Sequence, residues 1–230
     1  MTPAARLQAI LDLMSEIDTV PRPADAIVSA WFRARRQIGD ADRGEIIAQL
    51  QELLRHQARL GWWLDRHGRK DTHRNRLLAF LTLVERRKPD QLKRLFSGAK
   101  YAPSILTEAE ATLVVKLQGS PVDHPAMPDD VRLECPDWAA AALRRRFGAD
   151  FETEMAAMLT PPPLDLRVNT LKTTRAHSLR ALRDIGLPAE VSAVAPFGIR
   201  VGARLSLAHL PGLKTGEIEI QDEGSQLVAL

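Results

Sequence analysis

The stretch Pro161-Pro162-Pro163-Leu164-Asp165-Leu166-Arg167-Val168-Asn169 decides the fold, because the hydrophobic period changes across it. Three prolines make a stiff spacer. Beyond them Leu164, Leu166 and Val168 alternate with Asp165, Arg167 and Asn169, which predicts a strand with one buried face. Before them, apolar residues recur at helical spacing. The chain therefore changes class at this point.

Reading on from the strand, Thr173 or Thr174 is placed to cap a helix carrying Leu179, Leu182 and Ile185, and Gly186 ends it. Short strands are predicted around Val191–Val194 and Gly198–Val201, followed by a helical turn near Leu207–Leu210. Ile218 and Ile220 alternate with Glu217, Glu219 and Gln221 as a last strand. Asp222 sits at an N-cap, with Glu223 at the positive end of the helix dipole, and Leu227, Val228 and Leu230 begin that helix. The order strand, helix, strand, strand, turn, strand predicts a small α+β domain of ferredoxin-like or RNA-recognition-like type. A helix this short needs a surface to pack on, so residues after about Gln221 are expected to lack support.

Reading back from the prolines, helices are predicted around Leu7–Ile17, Ile27–Ile38, Ile46–Leu54, Leu77–Val84, Leu92–Phe96 and Leu113–Leu117. The third can run on through Leu60, Trp63 and Leu64. Asp42 with Glu45, and Thr107 with Glu110, have capping-box spacing. Residues 119–136, rich in Pro and Asp, read as a loop or linker. Helices from Trp138 to Phe147 and from Phe151 to Leu159 follow. The expected organisation is a helical domain over residues 1–130, a small α+β domain over 131–220 and the start of a further unit over 221–230.

No apolar run approaches the roughly 20 residues that cross a bilayer, so no membrane partner is expected. The single cysteine, Cys135, excludes an internal disulfide framework and suggests a reducing, cytoplasmic setting. The net charge of +3 hides an uneven distribution. Residues 66–100 hold 11 Lys/Arg against 3 Asp/Glu, whereas residues 1–65 are net −1 and residues 101–230 net −4.

That basic block includes Arg69, Lys70, Arg74, Arg76, Arg86, Arg87, Lys88, Lys93 and Arg94. Clustered cations neutralise phosphates and release counterions, so the block is a candidate RNA surface. A solvated helix face explains the same residues equally well. Trp63 of the pair Trp62-Trp63 suits a core and Trp62 a domain margin. No histidine is spaced for metal ligation. No phosphate loop, dinucleotide fingerprint or nucleophile elbow is present, and Cys135 reads as a packing residue. No catalytic residue is assigned.

Three segments together resemble the RsmB/Nop/Sun family: Pro162 to Lys172, Leu210-Pro211-Gly212-Leu213 through Gly216, and Ile220-Gln221-Asp222-Glu223-Gly224-Ser225-Gln226. Pro136-Asp137-Trp138 and Phe147-Gly148 match the approach to them. Asp42-Arg43 and the helix to Arg55 resemble the NusB-like RNA-binding domain of that family. The resemblance implies an S-adenosylmethionine-dependent RNA cytosine-5 methyltransferase acting on small-subunit ribosomal RNA, in which a cysteine thiolate adds to C6 of the base. It also implies that the glycine-rich cofactor loop and catalytic cysteines lie beyond Leu230. This chain is then expected to be the inactive RNA-engaging front of the enzyme, binding neither cofactor nor metal. Arg167, Asn169 and Lys172 join the RNA-contact candidates on the same ground, with outward residues of a soluble edge strand as the alternative. A stand-alone RNA-binding adaptor and a protein-interaction scaffold are the rival readings.

Overall fold

A computed structural model of the chain describes residues 1–202 and 210–230. Its elements are α1 (Pro3–Thr19), α2 (Ala24–Ala34), α3 (Asp40–Leu54), α4 (Gln57–Arg66), α5 (His73–Leu83), α6 (Pro89–Leu95), α7 (Glu108–Leu117), α8 (Asp129–Arg132), α9 (Asp137–Phe147), α10 (Phe151–Met158), β1 (Leu164–Val168), α11 (Arg175–Asp184), β2 (Ala189–Val191), β3 (Gly198–Val201), β4 (Ile218–Ile220) and α12 (Glu223–Val228). They form two compact units, Met1–Leu159 and Thr160–Leu230.

The first unit is helical and built around α5. Leu77, Leu78, Ala79, Phe80, Leu81, Thr82 and Leu83 are all buried. A helix apolar on every side is a central one. Its one hydroxyl in that run, Thr82 Oγ1, donates back to the Leu78 carbonyl at 2.7 Å. Ile10 and Leu13 of α1, Ile46 and Leu53 of α3, Leu60 and Leu64 of α4, and Val114 and Leu117 of α7 complete the cluster.

Two local expectations change here. The third predicted helix does not run on: it breaks at Arg55 and His56, and α4 starts afresh. The cause is distant in sequence. The Glu134 carboxylate accepts from the amides of Ala58 and Arg59, at 2.7 and 3.0 Å, so the first turn of α4 is capped by a residue beyond α8. Asp42 and Glu45 do not form a capping box, because α3 begins at Asp40 after Gly39. Asp42 instead receives the N-terminal ammonium and Arg6, and Glu45 pairs with the same arginine. The amino group and Arg6 hold the Asp42 carboxyl below its ordinary value. The capping box of Thr107 and Glu110, and the caps by Thr72 and Thr174, form as the sequence predicts.

Residues 119–136 contain a loop and α8, and they pack rather than dangle. Met127 enters the main core, the Val122 carbonyl accepts from Trp63 Nε1 at 2.9 Å, and Asp123 and Glu134 both pair with Arg59. Leu133, Cys135, Ala140, Phe151 and Met155 form a small second cluster between this segment and α9–α10.

The second unit is a four-stranded antiparallel sheet in the order β2-β3-β1-β4. Leu166 stands opposite Ile199 on β3 and Ile220 on β4, and Val168 opposite Ile218. With β1 and β3 central, α11 crosses from β1 to β2 around β3, as in the split βαβ arrangement. Leu166, Val168, Ile199, Val201 and Ile218 bury one face against Leu182 of α11. The first of the two predicted short strands is shifted, to Ala189–Val191. Val194 lies in the connection and is exposed. That connection is tight: a Cβ on Gly198 would lie 2.7 Å from the Ser192 Cβ. The turn expected near Leu207–Leu210 falls, apart from Leu210, outside the described residues.

The closing segment has firm support, contrary to expectation. Asp165 is read from alternation as solvent-facing, yet it is buried. Its carboxylate takes a two-pronged hydrogen bond from Arg200, at 2.8 and 3.1 Å, and one from the Glu223 amide at 3.3 Å. Arg200 also pairs with the Glu223 carboxylate. Asp222 caps α12 by accepting from the Ser225 amide at 3.1 Å, the role its position predicts. The start of α12 is thus tied to the central strands.

Candidate nucleic-acid interface

The basic block divides by geometry. Arg74 is committed inside its unit: its guanidinium binds Glu110, donates to the carbonyls of Ser104 and Ile105, and lies 4.9 Å from the Phe96 ring centroid. Arg76 forms a two-pronged bridge to Asp71. Arg86 donates to the Ser120 carbonyl, and Arg87 to Glu85 at 3.0 Å. Among the described residues no ion pair engages Arg69, Lys70, Lys88, Lys93 or Arg94. Lys70, Lys88, Lys93 and Arg94 are exposed, and the last two occupy the final turn of α6. Cations there also suit the helix dipole.

The sequence pattern cannot separate the two groups, because the partners of Arg74 and Arg86 lie 36 and 34 residues away. Two residues outside the predicted set, His67 and Lys116, join Arg69 around one cavity. Lys116 stands alone among apolar residues of α7, so no cluster marks it in the sequence. Trp63 is buried, and Trp62 is half-buried with Arg66 over its ring.

The Arg74–Glu110 contact has a testable pH signature. Burial alone would push the Glu110 carboxyl up, but hydrogen bonds from Arg74 and the Thr107 amide outweigh it and hold the group below its ordinary 4.5. A carboxylate lowered in the folded state adds stability that is complete above pH 4.5 and fades as the pH falls through the folded value. Glu110→Gln should therefore lose about 1–2 kcal/mol at pH 7. It should also show a flatter decline than the parent below pH 4.5, measured by urea unfolding across that range.

In the second unit, Arg167, Asn169 and Lys172 gather at one end of β1. Asn169 Nδ2 donates to the Gly216 carbonyl at 2.9 Å, Lys172 Nζ to the Thr215 carbonyl at 2.7 Å, and Arg167 reaches Gln221 Oε1 at 3.3 Å. These bonds close the loop leading into β4. Lys172 remains exposed, and Leu171 beside it is almost fully exposed.

Cys135 is buried in the small cluster with α9–α10. Burial, helped by Asp130, pushes its thiol above the ordinary value. A nucleophilic cysteine needs the opposite shift. The described residues contain no group of side chains able to hold a metal ion and no helix long and apolar enough to cross a membrane.

With this geometry in place, comparison with known proteins defines the class. Residues 135–208 match the model of the Methyltr_RsmF/B-like ferredoxin-like domain, so α9 and α10 belong to the matched region together with most of the sheet. Over the matched stretches the chain is N-terminal RsmB/Sun-family sequence. Its relatives include the probable ribosomal RNA small subunit methyltransferase B of Synechocystis sp., 34% identical over 96 residues, or 41% of this chain and 22% of that protein. The ribosomal RNA small subunit methyltransferase B of Pseudomonas syringae pv. tomato is 32% identical over 117 residues, or 51% and 24%. Each match thus spans less than a quarter of the relative's length. The crystal structure of PH0851 covers 97% of this chain with a TM-score of 0.65, the chain spanning 54% of it. At 14% identity that likeness concerns the fold alone.

Proposed function

We propose that this chain is the RNA-engaging N-terminal part of a small-subunit ribosomal RNA methyltransferase. The parent enzyme would methylate C5 of a cytosine with S-adenosylmethionine in the cytoplasm. The match of residues 135–208 to the RsmF/B-like domain, with relatives named as ribosomal RNA methyltransferases, carries the reading. The unpaired cations Lys70, Lys88, Lys93 and Arg94 support RNA contact, because an exposed charge without a carboxylate partner remains available to phosphate. Residues 1–130 act as a NusB-like RNA-binding domain, 131–220 as the small α+β domain and 221–230 as the entry to the methyltransferase domain. The ferredoxin-like unit presents Arg167, Asn169 and Lys172 beside β4, and Lys172 is the most accessible of them.

The chain's own residues do not fit the cofactor. Gly224 follows an N-cap closed by Asp222, and a Cβ there would lie 3.1 Å from Asp222 Oδ1. The Glu223 amide is already used by Asp165. A glycine loop that cradles a nucleoside needs open backbone at this point. No transfer step is assigned to these residues, and the 230 residues mixed with labelled S-adenosylmethionine and RNA should leave label in the RNA at background.

RNA contact is tested by salt. Fluorescence anisotropy with a single-stranded ribosomal RNA fragment should give an affinity that falls steeply with salt. Changing Lys88, Lys93 and Arg94 together to Glu should make the log–log salt slope shallower by about 2, at roughly 0.7 per lost phosphate contact. Affinity independent of salt in the parent chain would sink the phosphate-contact reading.

A further inference from the structure

We propose that the cavity between the α4–α5 connection and α7 is a binding pocket for a ribonucleoside monophosphate unit. The cavity has a volume of about 480 Å³ and is lined by His67, Arg69, Thr107, Glu108, Thr112 and Lys116, with Ala109 and Leu113 as its apolar wall. That volume lies within the usual range for small-ligand sites.

Two observations point to a ligand. His67 Nε2 and Arg69 Nε are buried, and neither has a hydrogen-bond partner among the described residues. Buried polar nitrogens are nearly always satisfied, and leaving one unmade is unfavourable. Both residues line the same cavity. Secondly, the cavity gathers positive charge. Arg69 and Lys116 are without ion pairs among the described residues. The first-turn amides of α7 at Glu108 and Ala109 have no intrahelical carbonyl to donate to, and they carry the positive end of the dipole. His67 stacks on Trp63, with ring centroids 5.9 Å apart and planes 10° from parallel, which fixes the imidazole against the wall. Burial, with Lys116 and Arg66 nearby, pushes its pKa down, so the ring stands neutral at physiological pH. A neutral ring offers either a donor or an acceptor at Nε2 and does not demand a second anion.

The one acid on the rim, Glu108, selects between anions. A bare phosphate would face its carboxylate with nothing to donate. A ribonucleotide brings hydroxyl donors with its phosphate, and a carboxylate accepts from them. Arg69 and Lys116 then take the phosphate, and the apolar wall of Ala109 and Leu113 takes the base or sugar.

The nucleotide has two sources, a residue of an RNA strand or a free nucleotide. The RNA source rests on the function proposed above, whereas the chemistry of the pocket does not. The test titrates AMP, inorganic phosphate and a single-stranded RNA into the whole chain, following the Arg69 Nε–H resonance by NMR and RNA binding by anisotropy. Two variants probe the pocket: Lys116→Ala, and Ala109→Glu, an exposed first-turn position where Glu favours the helix and repels phosphate. Arg94→Ala is the control outside it. AMP should shift the Arg69 signal, both pocket variants should weaken AMP about tenfold, and the control should leave it unchanged. RNA should be weakened by the same two variants and displaced by AMP. If RNA binds but is untouched by the pocket variants while AMP is lost, the pocket stands and its RNA source is overturned. If AMP binds and RNA does not, the RNA reading of the chain falls and the pocket survives. If AMP fails to bind, or inorganic phosphate binds as tightly, the pocket is overturned.

Discussion

Glu134→Ala should destabilise residues 1–159 by about 3–5 kcal/mol, the usual consequence of removing one partner from a buried ion pair. Arg59 is 6% exposed and Glu134 is almost as well covered. The carboxylate accepts from the Ala58 amide, the Arg59 amide and Arg59 Nε, so one substitution leaves three donors short of a partner. Asp123 retains its 3.0 Å contact with Arg59 NH1, but it is half exposed and cannot reach the α4 amides. Glu134 also sits at φ 51°, where alanine gains nothing. Urea unfolding should show a lower midpoint with an unchanged slope. Adding Arg59→Met should recover part of the loss, because the buried charge is then gone. A loss below about 1 kcal/mol in the single variant would mean that solvent reaches Arg59 in the folded state.

Asp165→Ala should act on the other unit alone. Its carboxylate is 2% exposed and joins β1 to Arg200 on β3 and to the first turn of α12. Arg200 is 39% exposed and recovers some hydration when released, which brings the expected loss to about 2–3 kcal/mol. Hydrogen exchange should read it out locally: amides of β1, β3 and α12 should lose protection while those of α5 keep theirs. Asp165→Asn should fall between the two, since the amide oxygen still accepts one bond but repels nothing and attracts little.

These two carboxylates show where reading from sequence stops. Asp165 alternates with Leu164 and Leu166, and alternation assigns it to water. It is buried because the segment after β4 returns across that face of the sheet. Glu134 sits in a Pro- and Asp-rich stretch that reads as a linker, and only the arrival of α4 makes it a helix cap. Asp42 and Glu45 have the spacing of a capping box, but the chain's own amino group and Arg6 claim them first. Thr107 and Glu110 have the same spacing and do form the box, because both bonds close within one turn. The candidate interface divides in the same way. Its cations are visible as a block over residues 66–100, whereas the commitment of Arg74 to Glu110 and the freedom of Lys93 and Arg94 are not.

What the amino-acid sequence determines by itself is the class change at Pro161-Pro162-Pro163, the order of strands and helix after it, the caps at Thr72, Thr107, Thr174 and Asp222, and the family stretches that flank them. Each depends on residues within about four positions of one another, the range over which helix and strand periodicity act. Only the tertiary structure decides that Asp165 and Glu134 are buried, that the segment after Gln221 is held by β1 and Arg200, and that Arg69 and His67 share one cavity with Lys116. Those outcomes depend on desolvation and on donors brought from 23 to 76 residues away, and a charge has no assigned role until the fold has settled whether water or another side chain will face it.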